Sequence, residues 1–499
     1  MYKDYKFSNQ IKVLSISLIL IGLLGILYGF YAAPSTVEEA KEIVASMSHG
    51  SDHGGSAYGE SDHGDSDHGS SDYVESDHGD SDHGYESSGH EYDHDKHVFN
   101  QLHNKPWAAI YVPALFFMMI SLGVLAFYAI QRASQAGWSI VLYRIMEGIT
   151  GYLFLGCVFV LIILGFSALK FNHLFIWMDP EVVAHDEIIR NKIGYLNIPF
   201  FFIRAIIYVA GWVIYREITR RLSLQQDENN DISVHKKLFK FSAGFLVFFL
   251  VSESMMSWDW IMSIDPHWFS TLFGWYVFAG MFVSGITTIA LITIYLKSKN
   301  YLEFVNNSHI HDLAKFMFGV SIFWAYLWFS QFMLIWYSNI PEEVTYFITR
   351  IEDYNFLFFG MVVLNLIFPL IVLMNSDFKK TNFIVILTGI VIIIGHYIDV
   401  YNMIMPSAVG DMWSFGPAEI GGFMFFLGIF LYVVIIIFIY AEIKLANNLW
   451  YTSYIYFFII TASISAPAIT GNKICFIILV TFLSIAKIRG KNENSHTRQ

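Results

Sequence analysis

Ten apolar runs of roughly 20 residues recur along the chain, at 11–32, 107–130, 141–168, 197–218, 240–263, 268–296, 313–337, 354–374, 382–404 and 418–442. Coiled at 1.5 Å per residue, each run matches the roughly 30 Å hydrocarbon layer of a bilayer. Inside that layer a backbone finds no water, so each run must close its own hydrogen bonds as a helix. The 499 residues are 55% hydrophobic and only 14% charged, which rules against a soluble domain. An all-α, polytopic integral membrane protein is predicted.

Lys and Arg concentrate in alternate connections. Lys3, Lys6 and Lys12 precede the first run and Arg132 follows the second. Arg216, Arg220, Arg221, Lys236, Lys237 and Lys240 lie between the fourth and fifth, Lys297, Lys299 and Lys315 around the loop after the sixth, and Lys379 and Lys380 after the eighth. By the positive-inside rule these connections and the N-terminus are cytoplasmic. The first run lacks a convincing small-residue cleavage site and reads as a retained helix. A further apolar stretch, 453–486, breaks the pattern. If it crosses, the basic residues Lys487, Arg489 and Lys491 fall on the wrong side, so a re-entrant or surface-lying segment stays open beside an eleventh crossing.

Between the first two runs, SDHG repeats at 51, 61, 66, 76 and 81 build an acidic, His-rich, low-complexity insertion on the periplasmic side. Its carboxylates account for the net charge of −12, so that value says nothing about the membrane part. Without apolar residues it cannot bury enough surface to fold alone. His53, His63, His68, His78 and His83, with neighbouring Asp, could loosely hold Zn²⁺, Cu²⁺ or Ni²⁺. A solvated spacer is the simpler reading, because tight metal sites need fixed ligands. Cys157 and Cys475 sit alone in apolar runs, which leaves no CxxCH haem attachment, iron–sulfur ligand set or disulfide framework. Bis-His haem is disfavoured too, since His396 is the one His well inside a run.

Charged groups at membrane depth usually serve proton, ion or substrate traffic, because an ionised side chain at the bilayer centre costs about 2.5–3.5 kcal/mol on insertion scales. Arg144 and Glu147 fall in the cytoplasmic third of the third run and Glu253 near the middle of the fifth. Arg204 falls in the outer third of the fourth, with Asp259, Asp265 and His267 at the outer end of the fifth. His396 and Asp399 share one helix face in the outer half of the ninth, near Tyr397, Tyr401 and Asn402. Gln331 and Asn365 add hydrogen-bonding groups. Read structurally, Arg144 pairs with Glu147 and Arg204 with an outer carboxylate such as Asp259, fixing helices. Glu253 has no evident partner and His396 with Asp399 suits a proton-accepting pair, so there a functional role is favoured. Asp265 and His267 flank Pro266 and could simply turn the chain.

Long motifs then point to a family. SESMMSWDWIMSIDPHWFSTLFGWYVFAGMFVSGI, NKPWAAIYVPALFFMMISLGVLAFYAIQRASQAGWS, NHLFIWMDPEVVAHDEII, EFVNNSHIHDLAKFMFG and WFSQFMLIWYSNIPEEVTYFITRIEDY resemble the ActF-type membrane subunits of bacterial alternative complex III, in the NrfD-like, polysulfide-reductase-type family. The resemblance runs from the first span to about residue 443. It implies two four-helix bundles with peripheral helices, in a quinol:cytochrome c or oxidase oxidoreductase. It also implies a bacterial inner membrane with the SDHG loop periplasmic, and partner subunits: a multihaem cytochrome c and an iron–sulfur subunit that carry the haem c and iron–sulfur clusters, a sister NrfD-like membrane subunit, and in some assemblies a terminal oxidase. Menaquinol or another quinol is the implied small molecule, with lipid around the helices and no nucleic acid.

The expected division is an N-terminal span (1–32), the SDHG loop (33–104), a first bundle (105–263), a second (264–404), a peripheral span (405–446) and an atypical apolar extension with a basic tail (447–499). The expected role is a non-catalytic or quinone-binding subunit without a redox cofactor of its own. Its proton path would run through Glu147, Glu253, Asp259, His396 and Asp399, with Arg144 and Arg204 as charge partners. An independent secondary transporter is the rival reading, weakened because Pro369 is the main proline inside a span. A pure scaffold is the third.

Overall fold

The structure is a computed structural model, and it describes residues 9–49, 86–229, 232–302 and 304–442. The SDHG histidines His53, His63, His68, His78 and His83 and the stretch 453–486 lie outside the described residues. Among the described residues the secondary structure is helical and ten segments are long and apolar enough to cross a membrane, as the ten runs predict.

Four spans close the first bundle: α3 (Glu86–Ala133), the broken third span α4 (Tyr143–Ile149) and α5 (Leu153–Ala168), then α8 (Ile198–Asn229) and α9 (Ile232–Trp260). Short helices α6 (Pro180–His185) and α7 (Glu187–Asn191) lie in the connection before α8, each opened by an aspartate, Asp179 or Asp186, whose carboxylate accepts a first-turn N–H. The second bundle is α10 (Phe273–Ser298), α11 (Asn307–Ser338), the interrupted span α13 (Asn355–Val362) and α14 (Phe368–Leu373), and α15 (Asn382–Val409). Between α11 and α13 runs the amphipathic α12 (Pro341–Glu352). α11 ends at Asn339, whose left-handed φ of 47° stops the helix two residues before Pro341 starts the next. Outside the bundles α1 (Asn9–Ala32) and α16 (Pro417–Glu442) pack against each other and against α3. These helices fall in one compact unit, Met1–Ile439, except for the last residues of α16, which belong to a second unit, Tyr440–Gln499.

The bundles meet along α3 and α10. In the most apolar window of α3, 94% of residues are buried, against 33% for α8, whose outer face of Ile203, Ile206, Ile207 and Ile214 suits lipid. Contact is close because of Gly123 and Gly285. A Cβ on Gly285 would sit 2.8 Å from the Val124 nitrogen, so any larger residue would push the bundles apart.

Two expectations need correction. The segment 33–104 is not loop throughout: α2 (Val37–His49) and the first turns of α3 are helical, and Lys41 of α2 pairs with Asp95 of α3 at 2.5 Å. Proline is also less scarce inside helices than expected, since α3 carries Pro106 and Pro113 and α15 carries Pro406. Each lacks an N–H and frees the carbonyl four residues earlier. Pro369 does the same to Asn365, and Val363–Ile367 relaxes into a π-helical turn between α13 and α14.

Candidate functional site

The end of the molecule where the arginines gather, the basic end, holds one buried carboxylate among three guanidinium groups. Glu147 accepts from Arg144 at 2.8 Å, Arg220 at 2.6 Å and Tyr128 at 3.1 Å, with Arg132 3.8 Å away. Arg144 reaches on to Asp227 and Arg132 to Ser223. Both oxygens of Glu147 are held by cations, so this group ties α3, α4 and α8 together and is a poor place to deliver a proton. Glu147 was expected on the proton path and is better described as a clamp.

At the far end of the first bundle Asp259, with no exposed surface, is gripped by Arg204: Nε donates to Oδ2 and Nη2 to Oδ1, both at 2.8 Å. Tyr208 adds a third bond at 3.0 Å, Arg204 gives Nη1 to the Tyr195 carbonyl, and the Tyr195 ring stacks on the guanidinium at 3.9 Å. This is the structural pairing foreseen for Arg204. About 1.7 turns away, about 9 Å along α9, Glu253 is 2% exposed and its Oε1 has no hydrogen-bond partner.

The second bundle builds a different site. Asp399 on α15 accepts from the Tyr276 hydroxyl of α10 and from Trp324 Nε1 of α11 at 2.8 Å. His396, one turn earlier, brings Nδ1 to 3.5 Å from Asp399 Oδ2, and both residues are 1% exposed. Asn365, at the π-turn, reaches His396 Nδ1 at 3.4 Å. The site depends on Gly395, because a Cβ there would collide with Asn365 Oδ1. Its tyrosine comes from another helix: Tyr397 turns away onto Phe116 and Phe423, and Tyr401 onto Phe415, as their one- and two-residue offsets from His396 and Asp399 require.

Several buried polar atoms around the pair have no partner: His396 Nε2, Asn365 Oδ1, Gln331 Nε2 and Asn402 Oδ1. Two narrow voids adjoin Asp399, each with room for about one water molecule. One reaches inward past His396, Gly280 and Ser284; the other lies toward Arg350, Gln331 and Asn402. Neither is lined by Glu253, so the structure does not join that residue to the pair.

Asp265 and His267 lie at the far-end surface, away from Asp259. Asp265 accepts from the His267 backbone N–H at 3.3 Å, and His267 Nε2 meets Asp186 Oδ2 at 2.5 Å. The Ile189 amide and His267 together hold the Asp186 carboxyl below the usual range. Lys192 donates to the Pro266 carbonyl, so this turn is clamped to the connection before α8.

Sequence reasoning missed Arg350, buried on α12, and Glu419, buried in the first turn of α16. The acidic flanks of α12 disguised it as a simple connection; the spacing of Tyr346, Phe347 and Arg350, one buried face in 12 residues, was the available signal. No protein-family model matches the chain, and no curated protein matches it.

Proposed function

We propose that the chain is a membrane subunit of a respiratory quinol oxidoreductase of the alternative complex III type, in a bacterial inner membrane, and that its second bundle carries protons toward the outer face. The carrying observation is the His396–Asp399 pair, buried beside two water-sized voids and four unpartnered polar atoms. Such a constellation is costly unless water or a moving proton completes it. Under this reading the basic end is cytoplasmic, the far end periplasmic, and Arg144 and Glu147 stand at the cytoplasmic mouth as structure.

The chemistry follows from the partners. With Asn365 donating to Nδ1, neutral His396 keeps its proton on Nε2, and its free lone pair is on Nδ1. A proton arriving makes Nδ1 a donor, aimed at Asp399 Oδ2. Transfer leaves neutral imidazole and a carboxylic acid, and a turn of the Asn365 amide lets its free oxygen accept from Nδ1–H in between. Tyr276 and Trp324 hold the carboxylate in place through the cycle. On this reading the haem c and iron–sulfur centres belong to partner subunits, and no step here passes through them or through quinol.

The transporter reading is less well supported. Helix-broken pairs in such folds sit at matching places in both halves. Here the π-turn interrupts the third helix of the second bundle, whereas the third helix of the first, α8, runs unbroken from Ile198 to Asn229. Purification of the tagged chain from native membranes separates the two: co-purifying haem-absorbing subunits are expected, and a chain emerging alone would overturn the assignment.

A further inference from the structure

Arg350 has an unusual environment. It is 3% exposed, and its partners are the backbone carbonyls of Asn402 at 2.9 Å, Tyr346 at 2.7 Å and Met403 at 3.4 Å. The Asn402 carbonyl is available because Pro406, four residues on, cannot donate to it. The guanidinium lies 3.4 Å over the Tyr346 ring, which in turn stacks at 3.9 Å on Trp268 from the turn after α9. Carbonyls and a ring orient a cation but do not neutralise it, and a buried arginine is ordinarily matched by a carboxylate.

Two carboxylates lie in its surroundings. Inward, the outer void separates Arg350 from Asp399, with Tyr276, Gln331 and Asn402 on its walls. Outward, Asp265 is close enough for its charge to act on the guanidinium, as are the phenols of Tyr346, Tyr276 and Tyr354. Gln331 Nε2 and Asn402 Oδ1, both unpartnered, offer a donor and an acceptor on the void wall.

We propose that Arg350 is the outer gate of the Asp399 site, a buried positive charge acting across one water molecule and shared between Asp399 within and Asp265 without. This rests on the proton-carrying reading of the second bundle. The proton leaves Asp399 for the void water, giving a carboxylate and a hydronium ion. The guanidinium stabilises the carboxylate against taking its proton back, so the hydronium gives its proton to the groups leading out past Asp265 to bulk water and the void water is restored. Arg350 leans toward Asp399 while the carboxylate is charged and toward Asp265 once it is reprotonated. Arg350 is thus a positioning residue, acting on the proton through Asp399 and the water.

The test uses the intact complex in proteoliposomes, reading proton release to the outer side per electron transferred. Arg350→Gln should lower that ratio by about tenfold or more, the scale of losing a group that tunes a reacting one. Arg350→Lys, which keeps the charge but loses the planar fork, should retain most of it. Asp265→Asn should give a smaller loss. If Lys and Gln variants fail equally, or if Arg350→Gln or Asp265→Asn leaves the ratio unchanged, the gate is overturned. Asp399→Asn separates the two levels: normal release there would sink the proton-carrying reading itself, whatever Arg350 does.

Discussion

The two bundles place an aspartate at the far half of their last helix, Asp259 on α9 and Asp399 on α15, and treat it in opposite ways. Asp259 receives a two-pronged arginine and a tyrosine. Asp399 receives a tyrosine, a tryptophan and a histidine, with a void on either side and its nearest arginine held off on backbone carbonyls. The first arrangement pairs a charge with its opposite; the second leaves a carboxylate with neutral donors and room for water beside it, which on the proposed reading lets a proton come and go. A buried ion pair is no sign of function, while a buried carboxylate with neutral donors and room for water is a better one.

The contrast can be broken most forcefully in the first bundle. Removing one partner of a buried ion pair typically costs about 3–5 kcal/mol, so Arg204→Ala should lower the detergent melting temperature sharply or prevent assembly. A melting temperature like that of the parent would show that Asp259 does not depend on Arg204. Asp399→Asn, whose amide oxygen can accept from Trp324 while its NH2 donates to the Tyr276 hydroxyl, should change melting little yet reduce proton release by about a hundredfold or more. Glu253→Gln comes next, with about a tenfold loss expected if that carboxyl feeds the second bundle. Full activity in the variant would mark Glu253 as a packing residue.

The smallest effect concerns the surface clamp. Because the folded state holds Asp186 below its ordinary value, its contribution is present above the unfolded value of about 3.9 and fades as pH falls through the folded one. At pH 7 the clamp to His267 is intact. Amide exchange across the 261–272 turn should therefore quicken only below about pH 4. Quickening already at pH 6 would locate the control elsewhere.

Apolar runs made the spans legible because bilayer thickness dictates their length, and the helices overshoot them only where polar turns extend past the apolar layer, as α3 and α9 do. The Arg204–Asp259 pairing was also legible, since two opposite charges at one depth have little choice. Harder to see were Tyr276 and Trp324, hidden among 29 tyrosines and 13 tryptophans. They become site residues only when α10 and α11 close on α15. Arg350 was hidden for a related reason: its burial follows from the way α12 folds over the carbonyl that Pro406 frees.

Proton release by the intact complex carrying Asp399→Asn, measured beside Asp259→Asn, tests the contrast between the two aspartates most directly. The prediction is lost release with normal assembly for the first, and defective assembly for the second. A normally assembled Asp399→Asn complex that releases protons like the parent would contradict it.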